Sequence, residues 1–197
     1  LDYISNVDSA CYESDLKYFR WNTVLDFQGK DETLLHTIAD RKEHQPEAIS
    51  YYKDTSKTEI TDSCSNFGSL QAINVVKRNQ SGVILELELD FQNGAVSVQS
   101  EYNMRAILGC GITNINLLDG SSVEMSILPS AYISIQAKGD GTYAVLGGGY
   151  GHGIGMSQNG AQKLCGQGFD YKRILNYFYQ DTELTELYQP QNTTKEE

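Results

Sequence analysis

The stretch from Val83 to Phe91 constrains the fold more than any other part of the chain. Val83, Leu85, Leu87, Leu89 and Phe91 alternate with Glu86, Glu88 and Asp90. That period of two fits a strand with one buried and one wet face and fits no helix. Asn93-Gly94 follows, a pair suited to a two-residue hairpin turn in which both positions take φ > 0, and Val96 and Val98 then lie on the returning strand. Ile73 and Val75 end an earlier strand, with Arg78-Asn79-Gln80-Ser81-Gly82 as the turn between. Ile133 and Ile135 alternate on a further strand, Asp140-Gly141 makes a second tight turn, and Thr142 to Leu146 run back.

Helical signals lie outside this block. Asp31 reads as the cap of a short helix with Leu34, Leu35, Ile38 and Ala39 on one face. Ser157 to Gly166 places Ala161, Leu164 and Cys165 on one side. Asp170 caps a last helix in which Tyr171, Ile174, Leu175 and Phe178 recur at helical spacing. The fold class is α+β: an antiparallel β-sheet core, helices at the C-terminal end and a short helix near the N-terminus. Residues 1–28 show apolar positions around Trp21 without clear period, 41–65 are polar and loop-rich, and 109–130 read as one long loop. Without an internal repeat, the simplest division is one domain over 1–188 and a polar tail over 189–197.

Composition narrows the partners. The net charge of −11, from 15 basic and 26 acidic residues, repels nucleic acid and anionic lipid; a neutral or mixed-charge partner such as glycan suits it. No apolar run approaches a membrane span. The chain starts at Leu1 and shows no signal peptide, so the expectation is a trimmed or processed product whose export signal or anchor lies upstream. Cys11, Cys64, Cys110 and Cys165 are far apart and form no C-x-x-C pair, which weakens a zinc reading. Three full pairings remain formally open, and free, mostly buried thiols are the favoured reading.

The chemistry concentrates in the run from Gly147 to Gln162. Six glycines fall within the nine residues 147–155. A dinucleotide loop fails because Met156 stands where a third glycine belongs, and a phosphate loop fails for want of a Gly-Lys-Ser/Thr ending. A nucleophile elbow fails at Asn159. What remains is His152 on a nearly bare backbone between Gly151 and Gly153, able to reach a cleft and to donate or accept a hydrogen bond. Ser157 and Gln158 follow at a helix start, where backbone N–H groups favour oxygen-rich groups. Each residue also has a plainer reading. Ser157 serves equally as a helix cap, His152 as a structural histidine bonded to a carbonyl, and Gln158 as a surface residue. Glu86, Glu88 and Asp90 read as a solvated strand face rather than a catalytic pair. Tyr150, Tyr177 and Tyr179 are stacking candidates among 13 tyrosines that mostly serve as half-buried filling.

Gly151-His152-Gly153, Met156-Ser157-Gln158 and Gly160-Ala161 closely resemble the signature of the stage II sporulation protein D and amidase-enhancer family. Gly168-Phe169-Asp170-Tyr171, Ile174-Leu175, Tyr177-Phe178-Tyr179 and Asp181-Thr182-Glu183-Leu184 resemble its closing segment. Arg105-Ala106-Ile107-Leu108-Gly109, Leu128-Pro129-Ser130 and Tyr18-Phe19-Arg20-Trp21 are similar to further landmarks. The resemblance implies an extracytoplasmic protein of the cell wall that cleaves the N-acetylmuramic acid–N-acetylglucosamine bond of denuded peptidoglycan strands. An anhydro ring forms because a hydroxyl of the substrate displaces the leaving group, so one glutamate suffices as acid and then base. It also implies that this chain is the C-terminal portion: no segment matches the family's catalytic glutamate or its histidine-containing, metal-associated segment, so the catalytic residue is unknown here. Tyr150, Gly151, His152, Gly153, Ser157 and Gln158 become supporting, substrate-binding candidates, with no metal ligand among them. The implied partners are glycan strands and a cell-wall amidase; the alternative function is a non-catalytic glycan-binding or amidase-enhancing module. Asn159 departs from the family, which often carries an aromatic residue there.

Overall fold

The computed structural model describes residue 4 and residues 11–53, 58–60 and 63–185; the tail expected over 189–197 lies outside them. The chain divides into two compact units, one up to Gly153 and one from Ile154. The first holds two five-stranded antiparallel sheets. One is ordered β8-β7-β1-β10-β9, with β1 at Arg20–Asp26, β7 at Ile115–Leu117, β8 at Ser122–Val123, β9 at Ile133–Ala137 and β10 at Thr142–Gly148. The other is ordered β3-β2-β6-β5-β4, with β2 at Ile49–Tyr52, β3 at Glu59–Ile60, β4 at Leu70–Arg78, β5 at Ile84–Phe91 and β6 at Gly94–Val98. Among its described residues the unit also holds helices α1 (Asp31–His44) and α2 (Glu101–Gly109) and a 3-10 turn at Pro46–Ala48. One continuous core takes side chains from both sheets and both helices, among them Trp21, Leu25, Leu34, Ile38, Leu87, Val96, Ile107 and Val145. The α+β class is therefore the observed one.

Several local expectations change. The alternation of β5 breaks at its start: Ile84 is buried while Leu85 is 38% exposed, and from Leu87 onward the odd positions point inward. The pairing with β4 slips between Lys77 and Arg78. A bulge inserts one residue, and one residue of slip exchanges the faces of a strand. The hairpin turn consists of Gln92 and Asn93, neither at positive φ; Gly94 already pairs with Phe91 in β6. Gly94 is needed for another reason, since a Cβ there would lie 2.7 Å from the Phe67 ring. Residues 109–130 are not one long loop but contain the β7–β8 pair.

The stretch 41–65, expected to be loop-rich, holds the end of α1 and the strands β2 and β3, and β1 and α2 likewise had no sequence signature. β1 is the middle strand of its sheet, with Trp21, Thr23 and Leu25 inward; Thr23, only 2% exposed, interrupts the apolar period. α2 buries Asn103 and Arg105 beside Met104, Ile107 and Leu108, so its stripe is not apolar. Asn103 accepts from Arg41 Nε (3.0 Å) and donates to Gln45 Oε1 (2.8 Å), which satisfies it in the interior. Arg105 Nε donates to the Leu128 carbonyl (2.8 Å), Leu128 N–H donates back to the Arg105 carbonyl (3.2 Å), and Glu101 pairs with Arg105 Nη1 at 3.1 Å.

Asp31 does not cap α1; Lys30 holds that position without a side-chain bond. The Asp31 carboxylate accepts instead from Ser69 Oγ (2.9 Å) and Leu70 N–H (3.2 Å), tying the helix start to β4. Ala39 faces solvent. No disulfide joins the four cysteines, and only Cys64 is buried: Cys11 and Cys110 are half-buried and Cys165 is exposed. Burial pushes the Cys64 thiol up from its ordinary pKa.

The second unit contains α3 (Gln158–Gly166) and α4 (Tyr171–Phe178). Both expected caps form: Ser157 Oγ accepts from Gly160 N–H (3.0 Å) and Asp170 Oδ1 from Arg173 N–H (2.8 Å). Leu164 and Ile174 are buried, whereas Cys165 and Tyr171, expected on the inner faces, are exposed. Gly160 leaves room for Phe178, whose ring would lie 3.1 Å from a Cβ at that position.

Candidate functional site

The glycine strip begins inside β10 and is held from both flanks. Gly147 pairs with Trp21 of β1, and the indole lies flat across it: a Cβ at Gly147 would fall 2.1 Å from the ring. Trp21 Nε1 donates to the Gly149 carbonyl at 3.1 Å. Gly149 N–H donates to the Tyr18 carbonyl at 2.8 Å. On the other flank Gly148 N–H donates to the Tyr132 carbonyl (3.0 Å), buried Ser130 Oγ donates to the Gly148 carbonyl (2.7 Å), and Gly151 N–H donates to the Pro129 carbonyl (2.8 Å). Such a strip is ordered rather than loose, because its peptide groups are consumed by fixed partners.

Beyond β10 the path is set by conformation. Gly149, Gly151 and Gly153 have φ of 77°, 113° and 71°, values costly for a residue with a Cβ. Nothing crowds Gly149 or Gly151, so glycine serves there for its dihedrals and not for space. The alternation turns Tyr150 and His152 outward. Tyr150 is 65% exposed and stacks on Tyr18, ring centroids 4.8 Å apart at 30°. Lys17 Nζ lies 5.3 Å from the centre of the Tyr18 ring. His152 is exposed rather than packed into the interior.

The first unit thus brings together Tyr150, Gly151, His152 and Gly153 of the expected set. Ser157 and Gln158 belong to the second unit, where Ser157 caps α3 and Gln158 is an exposed residue of its first turn. Tyr179 Oη accepts from Met156 N–H at 3.1 Å, and Tyr177 is exposed. Two β5 carboxylates are engaged across the sheet: Glu86 accepts from Ser97 Oγ of β6 (3.0 Å) and Asp90 from Asn74 Nδ2 of β4 (2.7 Å). Among the described residues no group of three His, Cys, Asp or Glu side chains is placed to hold a metal ion, and no helix is long and apolar enough to cross a membrane.

Sequence reasoning missed the parts that hold the strip. Tyr18, Trp21, Pro129 and Ser130 act on it across long stretches of chain, and only the segments Tyr18–Trp21 and Leu128–Ser130, noted for resemblance, hinted at them.

Residues 41–155 match the model of a family described as a domain of unknown function, DUF8618. The chain belongs to this family. It is also similar to two curated proteins of Bacillus subtilis (strain 168). One is the "Amidase enhancer", 34% identical over 89 residues, which is 45% of this chain and 12% of that protein. The other is "Stage II sporulation protein D", 36% identical over 76 residues, 38% of this chain and 22% of the relative. These matches relate this DUF8618 member to the sporulation protein D and amidase-enhancer proteins, of which it covers a minor part.

Proposed function

We propose that this chain is the C-terminal, glycan-facing portion of a peptidoglycan lytic transglycosylase working on the outer side of the cytoplasmic membrane. The observation that carries the reading is the rigidly held strip that presents Tyr150, stacked on Tyr18, next to an exposed His152. Tyrosine faces pack against the apolar faces of sugar rings while their hydroxyls stay wet. His152 donates or accepts a hydrogen bond to sugar hydroxyl or N-acetyl groups, and Gly151 and Gly153 let the glycan approach the backbone. On the second unit, taken by itself, Gln158 is an exposed residue at the start of α3 and the Ser157 hydroxyl is engaged in capping.

In this reading the chain orients the glycan and does not supply the proton. The family resemblance assigns that step to one glutamate, which protonates the leaving oxygen and then takes the proton of the attacking sugar hydroxyl. The run from Gly147 to Gln162 carries no carboxylate of its own, so in this reading the acid comes from another segment. The test is to incubate full-length protein with denuded glycan and analyse the products by mass spectrometry. Anhydro-ended fragments are expected, with turnover reduced in Tyr150→Ala; a full-length protein that releases none overturns the reading.

The relative named "Amidase enhancer" favours a second reading, a non-catalytic module that binds the wall and assists an amidase. Added chain that raises amidase release of stem peptides without anhydro products selects that alternative.

A further inference from the structure

The tip of the β4–β5 hairpin stands beside the glycine strip. A Cβ at Gly153 would lie 3.5 Å from Val83 Cγ2. The Tyr132 ring lies between the two segments, 2.9 Å from a Cβ position on Gly82 and 3.1 Å from one on Gly148. Arg78 closes the tip by donating from Nη1 to the Gly82 carbonyl at 2.8 Å. Its charge and that of Arg20 both act on the Tyr132 hydroxyl.

Arg78 is half-buried, yet among the described residues no carboxylate pairs with it and its side chain makes only the bond to Gly82. A guanidinium carries five N–H donors in a planar array, and no buried side-chain nitrogen or oxygen among the described residues lacks a partner. The unused donors therefore open outward. Leaving a partly desolvated cation without a counter-charge costs free energy that a bound anion would offset. Arg78 stands at one end of an open trough of about 540 Å³ that follows β4 and is walled opposite by Ser134 and Ile135 of β9. Both strands are sheet edges. Lys77 adds a second cation to the lining, and no acidic residue lines it. Glu86 sits opposite Lys77 in register, but its carboxylate accepts from Ser97. In a chain of net charge −11, a trough lined by two cations and no acid selects for negative charge.

We propose that Arg78, assisted by the Tyr132 hydroxyl, binds the carboxylate of an acidic sugar whose neighbouring residues lie along the Tyr150–His152 strip. Resting on the glycan reading above, the ligand is the lactyl carboxylate of an N-acetylmuramic acid unit that has lost its stem peptide. An amide-linked stem removes that charge, so the contact distinguishes naked strands from substituted ones. The planar guanidinium matches a carboxylate in two parallel hydrogen bonds.

The experiment measures binding of the 197-residue chain to denuded glycan oligomers and to chitooligosaccharides of equal length, by calorimetry at low and high salt. Wild type is expected to favour the acidic glycan by about tenfold, the scale of one charge-assisted contact, with the preference shrinking as salt rises. Arg78→Gln equalises the two sugars, Arg78→Lys keeps part of the preference, and Tyr132→Phe loses part of it. Thermal melts check each fold; should Arg78→Gln unfold, the salt dependence and Tyr132→Phe still decide. Equal wild-type binding of both sugars, or a preference that survives Arg78→Gln, overturns the proposal while sparing the glycan reading. Binding of neither sugar overturns both.

Discussion

Gly147 and Gly151 lie in the same run and are glycine for opposite reasons. Gly147 has ordinary strand dihedrals but no room, because the Trp21 ring occupies the volume a Cβ would fill. Gly151 has open space around it but a φ of 113°. The first is a packing glycine that fixes where the strip starts; the second is a conformational glycine that decides which way the next side chain points. A glycine-rich segment is thus not uniformly pliant, and its tolerance to substitution differs residue by residue.

The largest effect that bears on this contrast is expected from Trp21→Ala, which removes a 3% exposed indole and its bond to Gly149. Loss of about 3–5 kcal/mol should appear as a lower urea midpoint. Gly147→Ala comes next, at about 1–3 kcal/mol for overpacking. In a double-mutant cycle its cost should vanish in the Trp21→Ala background; persistence there would show that backbone conformation, not the indole, excludes a side chain. Gly151→Ala should cost about 1–2 kcal/mol from left-handed strain alone, independent of Trp21. Asn at Gly149, whose φ of 77° is nearer the left-handed well, should be milder than Ala there; equal penalties would undo the conformational account. Smallest in stability is Ser130→Ala, about 0.5–1.5 kcal/mol for the lost bond to the Gly148 carbonyl. Amide exchange at Gly148 and Gly151 should report it as local loosening.

The fold class and most strands around residues 70–98 and 133–146 were legible because hydrophobic period and turn residues report local geometry directly. So were the caps Ser157 and Asp170, whose partners lie three residues away. The misses share a cause. Gly94 reads as half of a turn pair, but its role is to admit Phe67, a contact no local pattern encodes. Thr23 and Asn103 occupy buried positions as satisfied polar groups, so β1 and α2 lacked the apolar period that would announce them. The bulge at Leu85 follows from pairing with β4, which the alternating letters do not contain. At the candidate site the outward residues were readable from their glycine neighbours. The supports, Trp21, Ser130 and Tyr18, reach the strip from distant segments, and neither their distance nor their bonding is written in the run itself.

Arg105, tied to Leu128 in both directions, makes the interior helix α2 the anchor of the segment that clamps the strip through Pro129 and Ser130. A disturbance deep in that helix is handed along a short tether to the surface tyrosine and imidazole. Substitutions at Arg105 or Leu128 should therefore change how Tyr150 and His152 are held, although both lie beneath the surface those residues occupy.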